Sequence, residues 1–230
     1  GYHMRHTPAV RKLKQMIDDG SAGRPTLFQG RYFCNALHHD WWRDPMRSGG
    51  QIFEQAIHVY DMAVHLLGTP RKVSAFTDNL CHAGRADYNV EDTSASVIRF
   101  DSGAIATVAA SNCAVPTEWT GDFRVVCENV TADFRAPHEV TFAFSEGTPA
   151  EKYFETGRKV RRSTTTREVD CYLEETRNFL AAIRGKAVAC APARDGLTGV
   201  KLVTAALKSA KAGARPVTIP AGGPKRSSRE

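Results

Sequence analysis

The stretch VEDTSASVIRFDSGAIATVAAS, residues 90–111, decides the fold class. Residues 93–100 alternate, Asp101-Ser102-Gly103 supplies a turn, and residues 104–110 return. Period-two alternation on both sides of a short Gly-containing turn is the signal of an antiparallel hairpin. The same signal continues in residues 122–128, 130–134 and 139–144. Short connections between successive strands predict an antiparallel meander. Towards the N-terminus, residues 26–35 and 72–77 also read as strands, and 78–91 as a polar loop. Residues 145–169 are polar and poorly periodic, a long loop or further edge strands.

Helices surround this β region. Thr7-Pro8 opens one, since Thr caps and Pro is tolerated at the first helical position. Val10, Leu13, Met16 and Ile17 give it a stripe, and Gly20 ends it. Only residues 2–4 precede it, so the sheet it would lie on is missing and it reads as a leftover of an α/β layer. Residues 49–68, GGQIFEQAIHVYDMAVHLLG, form a long helix stopped by Gly68. Two helices close the chain. The first presents Tyr172, Leu173, Thr176, Phe179, Leu180 and Ile183 on one face. The second is capped by Asp195, with Leu197, Val200, Val203, Leu207 and Ala210 on one face. The tail, 221–230, is Gly/Pro/charge-rich and expected to be disordered. A run of strands with helices to one side is α+β, here an open, mainly antiparallel sheet.

The chain has 230 residues, 42% hydrophobic, enough for a sizeable core. Its 31 basic and 25 acidic residues give a net charge of +6, spread along the chain. The dense basic run before the tail is RKVRR, 158–162. A nucleic-acid binder concentrates such charge with interleaved aromatics, so no nucleic-acid partner is expected. No apolar run approaches the roughly 20 residues of a membrane span, so no membrane partner is expected either. The cysteines at 34, 81, 113, 127, 171 and 190 form no CxxC motif. They read as free, mostly buried thiols in a reducing, cytoplasmic compartment.

The helix at 49–68 carries Glu54, His58, Asp61 and His65 on one stripe of an otherwise apolar surface. Unpaired buried charge is costly, so that stripe must face a cleft, a partner or a polar network. Glu54 and His58 are four residues apart and can meet. A carboxylate beside an imidazole is either an acid/base unit or a structural pair satisfying itself. A metal reading joins Glu54, His58 and Asp61 with His38, His39 and Asp40, although ligands on one helix seldom wrap a cation. Asp61 suits a pairing with a backbone or basic group, and His65 an interaction with the helix C-terminus.

GGQIFEQAIHVYD resembles the GG-x-L-x-D-x-G-x-H-x-x-D helix of the Gfo/Idh/MocA oxidoreductases, which include glucose-fructose oxidoreductase and inositol dehydrogenase. The likeness extends over most of the chain. GYHMRHTPAVRKLKQMIDDGSAGRP is similar to the segment closing the family's Rossmann domain. VEDTSASVIRFDSGAIATVAAS is similar to its strand pair with the F-x-S-G turn. RDGLTGVKLVTAALKSAKAGARPVTIP is similar to its last helix and closing strand. The resemblance implies a remnant of the dinucleotide-binding domain at 1–22 and a substrate and oligomerisation domain at 23–220. It implies NAD or NADP as cofactor of an intact enzyme oxidising a sugar, cyclitol or related polyol. His58 falls on the family's acid/base. Glu54 falls on its supporting, substrate-binding acid, commonly Asp, and Ala56 on a usual Gly. Arg5, Asn35, Trp41, Trp42, Arg43 and Asp61 are candidate substrate contacts, the tryptophans being equally suited to ordinary packing. The family's G-x-G-x-x-G and E-K-P motifs, the latter with its catalytic Lys, are absent from these residues. No dinucleotide is therefore expected on this chain, which reads as a truncated piece, inactive alone. The resemblance further implies a homo-dimer or tetramer through the antiparallel sheet. A non-catalytic dimerisation or scaffold module is the competing class.

Overall fold

The structure is a computed structural model describing residues 1–115, 119–154 and 169–220, and the backbone of 162–166. The tail at 221–230 lies outside the described residues, as does the RKVRR run apart from the backbone of Arg162.

Among the described residues, nine strands form one sheet: β1 (Pro25–Phe33), β2 (Pro70–Asp78), β3 (Thr93–Phe100), β4 (Ile105–Ser111), β5 (Thr120–Cys127), β6 (Val130–Ala136), β7 (Glu139–Phe144), β8 (Arg162–Thr166) and β9 (Val217–Thr218). Their order is β8-β7-β6-β5-β1-β4-β3-β2-β9. The expected hairpin at 93–111 forms, with Ser96 opposite Val108 and Ile98 opposite Ala106. The sheet is not a simple meander. β1 is inserted between β4 and β5, parallel to β4 (Phe28 with Ala106) and antiparallel to β5 (Phe28 with Val125). The connection from β4 to β5 therefore passes the end of β1 and carries Asn112 and Trp119 there. Of the ambiguous stretch 145–169, part is the edge strand β8, paired with β7.

Alternation sorts the sheet into two faces. In β3, Ser94, Ser96, Ile98 and Phe100 are buried, whereas Ala95, Val97 and Arg99 are exposed. The helices α1 (Pro8–Asp18), α2 (Pro45–Ser48), α3 (Ile57–Leu67), α4 (Cys171–Ile183) and α5 (Ala193–Lys211) complete the chain. α3 lies on β1, and α5 on β2. Gly30 of β1 lets α3 approach: a Cβ there would sit 2.4 Å from Val59 Cγ1 and 2.6 Å from Phe28 Cε1. Gly30→Ala is accordingly expected to lose about 1–3 kcal/mol of stability through overpacking, read by urea denaturation. A change below a few tenths would mean that the helix moves away freely.

The N-terminal segment packs on the sheet. Met4, Val10, Leu13 and Met16 are buried in the same apolar cluster as Phe28, Ile52, Val59 and Met62. The N-terminal helix thus contributes its stripe to the core beneath the larger sheet. Thr7 does cap α1, accepting the Val10 N–H.

The closing helices correct two expectations. The buried side of α5 is built on Gly199, Leu202, Val203, Ala206 and Ser209, while Leu197 and Val200 are exposed. Small residues admit close packing, and Ser209 Oγ accepts the Ala75 N–H and donates to the Arg215 carbonyl. Asp195 is not the cap, a position taken by Pro192; it lies in the first turn. On α4 the expected apolar face exists, yet Tyr172, Phe179 and Ile183 are more than 60% exposed. No described residue covers it fully.

On the opposite side of the sheet, the outer face forms a shallow concavity of about 1200 Å³ that includes Phe33, Phe76 and Val97. Ion pairs Arg31–Asp122 and Arg124–Asp133 lie across it. No helix among the described residues is long and apolar enough to cross a membrane. All six cysteines are free, but only Cys34 and Cys127 are fully buried.

Candidate functional site

The site begins where the long helix starts. Gly49 and Gly50 adopt φ of +80° and +93°, values glycine takes at little cost. A Cβ on Gly50 would lie 2.4 Å from Glu91 Oε2. The bare glycine admits the Glu91 carboxylate, which accepts the Ile52 N–H at 2.8 Å and so caps the helix. Residues Ile52–Ala56 then wind as a π turn before regular α3. The sequence reading made this a uniform helix. Such wide turns occur often at functional sites. Glu54, Gln55 and His58 all line one small cavity of about 180 Å³.

Aromatic residues make its other walls: Tyr32 from β1, Trp41 and Trp42 from the following loop, and Trp119 from the β4–β5 connection. Trp42 is 2% exposed and its indole N–H donates to Glu54 Oε2 at 2.7 Å. Glu54 is therefore tied to Trp42. It makes no hydrogen bond to His58, which corrects the expected supporting pair. The π turn changes the spacing on which that pairing rested.

His58 sits between Tyr2 and His3, with ring centroids 6.1 and 4.7 Å away. Its Nδ1 is buried without a hydrogen-bond partner. Burial, reinforced by the positive charge that His3 would contribute, pushes its pKa down to about 4. The ring is neutral near pH 7 and keeps a lone pair for an incoming proton.

The remaining candidates divide. Trp41 and Trp42 reach the cavity. Asn35 forms an isolated bridge to Cys113 and does not line it. Arg43 is held by Asp40 and Asp87, away from it. Arg5 and Asp61, 2% and 1% exposed, form a bidentate pair: Nε to Oδ2 at 2.8 Å and Nη2 to Oδ1 at 2.5 Å. Arg5 Nη1 also donates to Asp195 Oδ2 and the Cys190 carbonyl. That network joins the N-terminal segment to α3 and α5, and neither Arg5 nor Asp61 lines the cavity. With Asp61 engaged there and Glu54 on Trp42, the helix stripe presents no converging metal-ligand set. His65 is likewise no charged partner for the helix end, because burial and then Arg5 push its pKa down to about 3.

Sequence reasoning named His38 only as a candidate metal ligand and left Gln55 and Asn112 out. His38 lines the cavity from a left-handed backbone (φ 54°). Its Nε2 lies 3.1 Å from Gln55 Nε2 and 3.2 Å from Asn112 Oδ1. Asn112 is fully buried, accepts the Ala36 N–H and donates to the Ala36 carbonyl and Tyr88 hydroxyl. It pins the exit of β1 and so places the tryptophan loop. The density of His and Trp in 38–42 was the available signal for the loop; nothing local pointed to Asn112.

Comparison with known proteins agrees with this architecture. The family model described as the GFO/IDH/MocA C-terminal domain matches residues 10–133. The chain is 26% identical over 221 residues to inositol 2-dehydrogenase of Rhizobium meliloti (strain 1021), covering 91% of this chain and 61% of that protein. It is 33% identical over 116 residues to scyllo-inositol 2-dehydrogenase (NAD(+)) of Bacillus subtilis (strain 168), covering 48% and 32%. Among solved structures, levoglucosan dehydrogenase in complex with NADH and levoglucosan superimposes with a TM-score of 0.79 at 21% identity, over 96% of this chain and 66% of that one. The chain thus spans less than two thirds of the length of each.

Proposed function

The chain belongs to the GFO/IDH/MocA family, and on that footing we propose that it is the substrate-binding part of an NAD(P)-dependent dehydrogenase acting on a sugar, cyclitol or related polyol. The observation that carries this reading is the cavity itself: a neutral His58 facing aromatic walls and the polar groups of Glu54 and Gln55. Flat aromatic surfaces accept the C–H faces of a ring, and polar groups at the edge take hydroxyls. The activities by which the relatives are named, on inositols and levoglucosan, support the same substrate class.

His58 would accept the hydroxyl proton as the carbinol becomes a carbonyl, and return it in the reverse direction. Glu54 holds Trp42 in place and offers its remaining carboxylate capacity to a hydroxyl. When bound, the nicotinamide supplies the hydride acceptor. No G-x-G-x-x-G loop occurs in these 230 residues, so no residue of this chain is assigned to the dinucleotide and the chain alone is proposed to be inactive. The uncovered apolar face of α4 supports a part that works against a further folded layer. The open sheet face, with Phe76 70% exposed and Val97 52%, supports a homo-dimer or tetramer, and equally favours the scaffold reading.

The test is a steady-state assay of the whole protein containing this chain, with NAD and NADP against a panel of inositols and anhydro- and free sugars. Reduced nicotinamide should form with at least one of them. If no polyol is oxidised and neither dinucleotide binds, the enzyme reading fails and the scaffold reading stands.

A further inference from the structure

Away from the cavity, the fold brings together donors that the sequence keeps far apart. Cys81 lies in the loop after β2, Asp92 directly before β3, and Cys113 directly after β4. The two sulfurs and a carboxylate oxygen all lie within 4.8 Å of one another. His82 Nδ1 is 3.0 Å from Asp92 Oδ2 and 4.0 Å from Cys113 Sγ. Among the described residues this is the one grouping of metal-binding side chains.

The cluster is built rather than accidental. Asp92 is fully buried and gathers the loop around itself: Oδ1 accepts the Leu80 N–H, and Oδ2 accepts the N–H groups of Cys81 and His82. The folded loop sets Cys81 against Cys113, which is anchored by its bridge to Asn35. The His82 ring stacks on Tyr88, centroids 4.3 Å apart, which fixes its plane. Cys81 is exposed, giving an ion an entry path.

We propose that Cys81, His82, Asp92 and Cys113 form a binding site for a thiophilic divalent cation of the zinc class. Tetrahedral zinc, with bonds of about 2.0–2.3 Å, sets its ligands roughly 3.3–3.8 Å apart. The His82–Asp92 and His82–Cys113 separations, 3.0 and 4.0 Å, bracket that spacing, and Cys81, Asp92 and Cys113 converge to within 4.8 Å of one another. His82 would ligate through Nδ1 as the neutral ring with its proton on Nε2, the cation replacing the His82–Asp92 hydrogen bond. Both thiols lose their protons to solvent on binding, so affinity rises with pH. Two thiolates select zinc, cadmium or cobalt over magnesium and calcium. The site is separate from the polyol cavity, and its test does not depend on dehydrogenase activity.

The chain, reduced with a phosphine and freed of metal, is titrated with cobalt(II) and then zinc. One equivalent of cobalt should give thiolate charge-transfer absorption and tetrahedral visible bands, both abolished by one equivalent of zinc. Cys81→Ser, on the exposed loop, should weaken binding by at least about 100-fold, more than the loss of an outer-sphere partner typically causes. Its far-ultraviolet circular dichroism should match that of the parent. Cys171→Ser, outside the cluster, should bind like the parent. Absence of the thiolate band, or binding that survives Cys81→Ser and Cys113→Ser, would overturn the proposal.

Discussion

His58→Ala in the intact protein should lower turnover by about 10²–10⁴-fold while leaving NAD(P) affinity almost unchanged, the range expected for losing a general acid/base. The ring packs edge-on against Tyr2 and His3, but its Nδ1 is buried and unpartnered. A group left without hydrogen bonds inside a cleft costs free energy, and binding a hydroxyl at that nitrogen or its twin recovers it. The pH dependence has a definite sign. Burial holds the pKa down to about 4, so the imidazole is neutral and proton-accepting above that value and loses this capacity below it. Activity in the direction of alcohol oxidation should therefore persist well below the usual histidine range, and this acid limb should vanish in His58→Gln. Steady-state kcat and dinucleotide titration, measured on the same preparations, separate chemistry from binding. Unchanged turnover in His58→Ala would remove His58 from the reaction.

Asp61→Ala should destabilise the fold by about 3–5 kcal/mol, the cost typical of removing one partner of a buried ion pair. The effect comes less from the lost attraction than from what remains. Arg5, 2% exposed, would keep only Asp195 and the Cys190 carbonyl, and its Nε would be buried without an acceptor. The double replacement Arg5→Met with Asp61→Leu should recover much of the loss, because neither charge is then stranded. Denaturant midpoints of the three variants decide the matter. A loss below 1 kcal/mol for Asp61→Ala would show that water reaches Arg5 and that the pair is a surface contact.

What could be read from the sequence was local. The hairpin at Thr93–Phe100 and Ile105–Ser111 is legible because alternation, turn and return lie within some twenty residues. The helix stop at Gly68 is legible for the same reason. The insertion of β1 between β4 and β5 is not, since its register rests on pairs such as Leu27 with Ile105 that no local pattern records. Within the site, helical spacing correctly put Glu54 and His58 on one wall. The π turn and the indole of Trp42 were not legible, and it is Trp42 that holds the Glu54 carboxylate. A pairing of Asp61 with a basic group was legible from its place on an apolar helix, but its partner, Arg5, is 56 residues away and no local pattern names it. Similarly, apolar periodicity found the stripe on α4 but could not say whether anything in the chain covers it.

The place of β1 has a consequence for how the chain acquires its structure. β2, β3 and β4 pair with their sequence neighbours, and so do β5, β6 and β7, so two meanders can assemble from nearby contacts. β1 is the seam between them. It leaves the ribosome before either meander, with both edges unpaired, and waits until Cys127 has been made. Long-range pairing of this kind slows folding, because the entropy of loop closure is lost before the contacts repay it. The interval is also when an open strand is most exposed to pairing with another chain. Early docking of α3 over Gly30 would shield one face of β1 during that interval, leaving only its edges to be matched last.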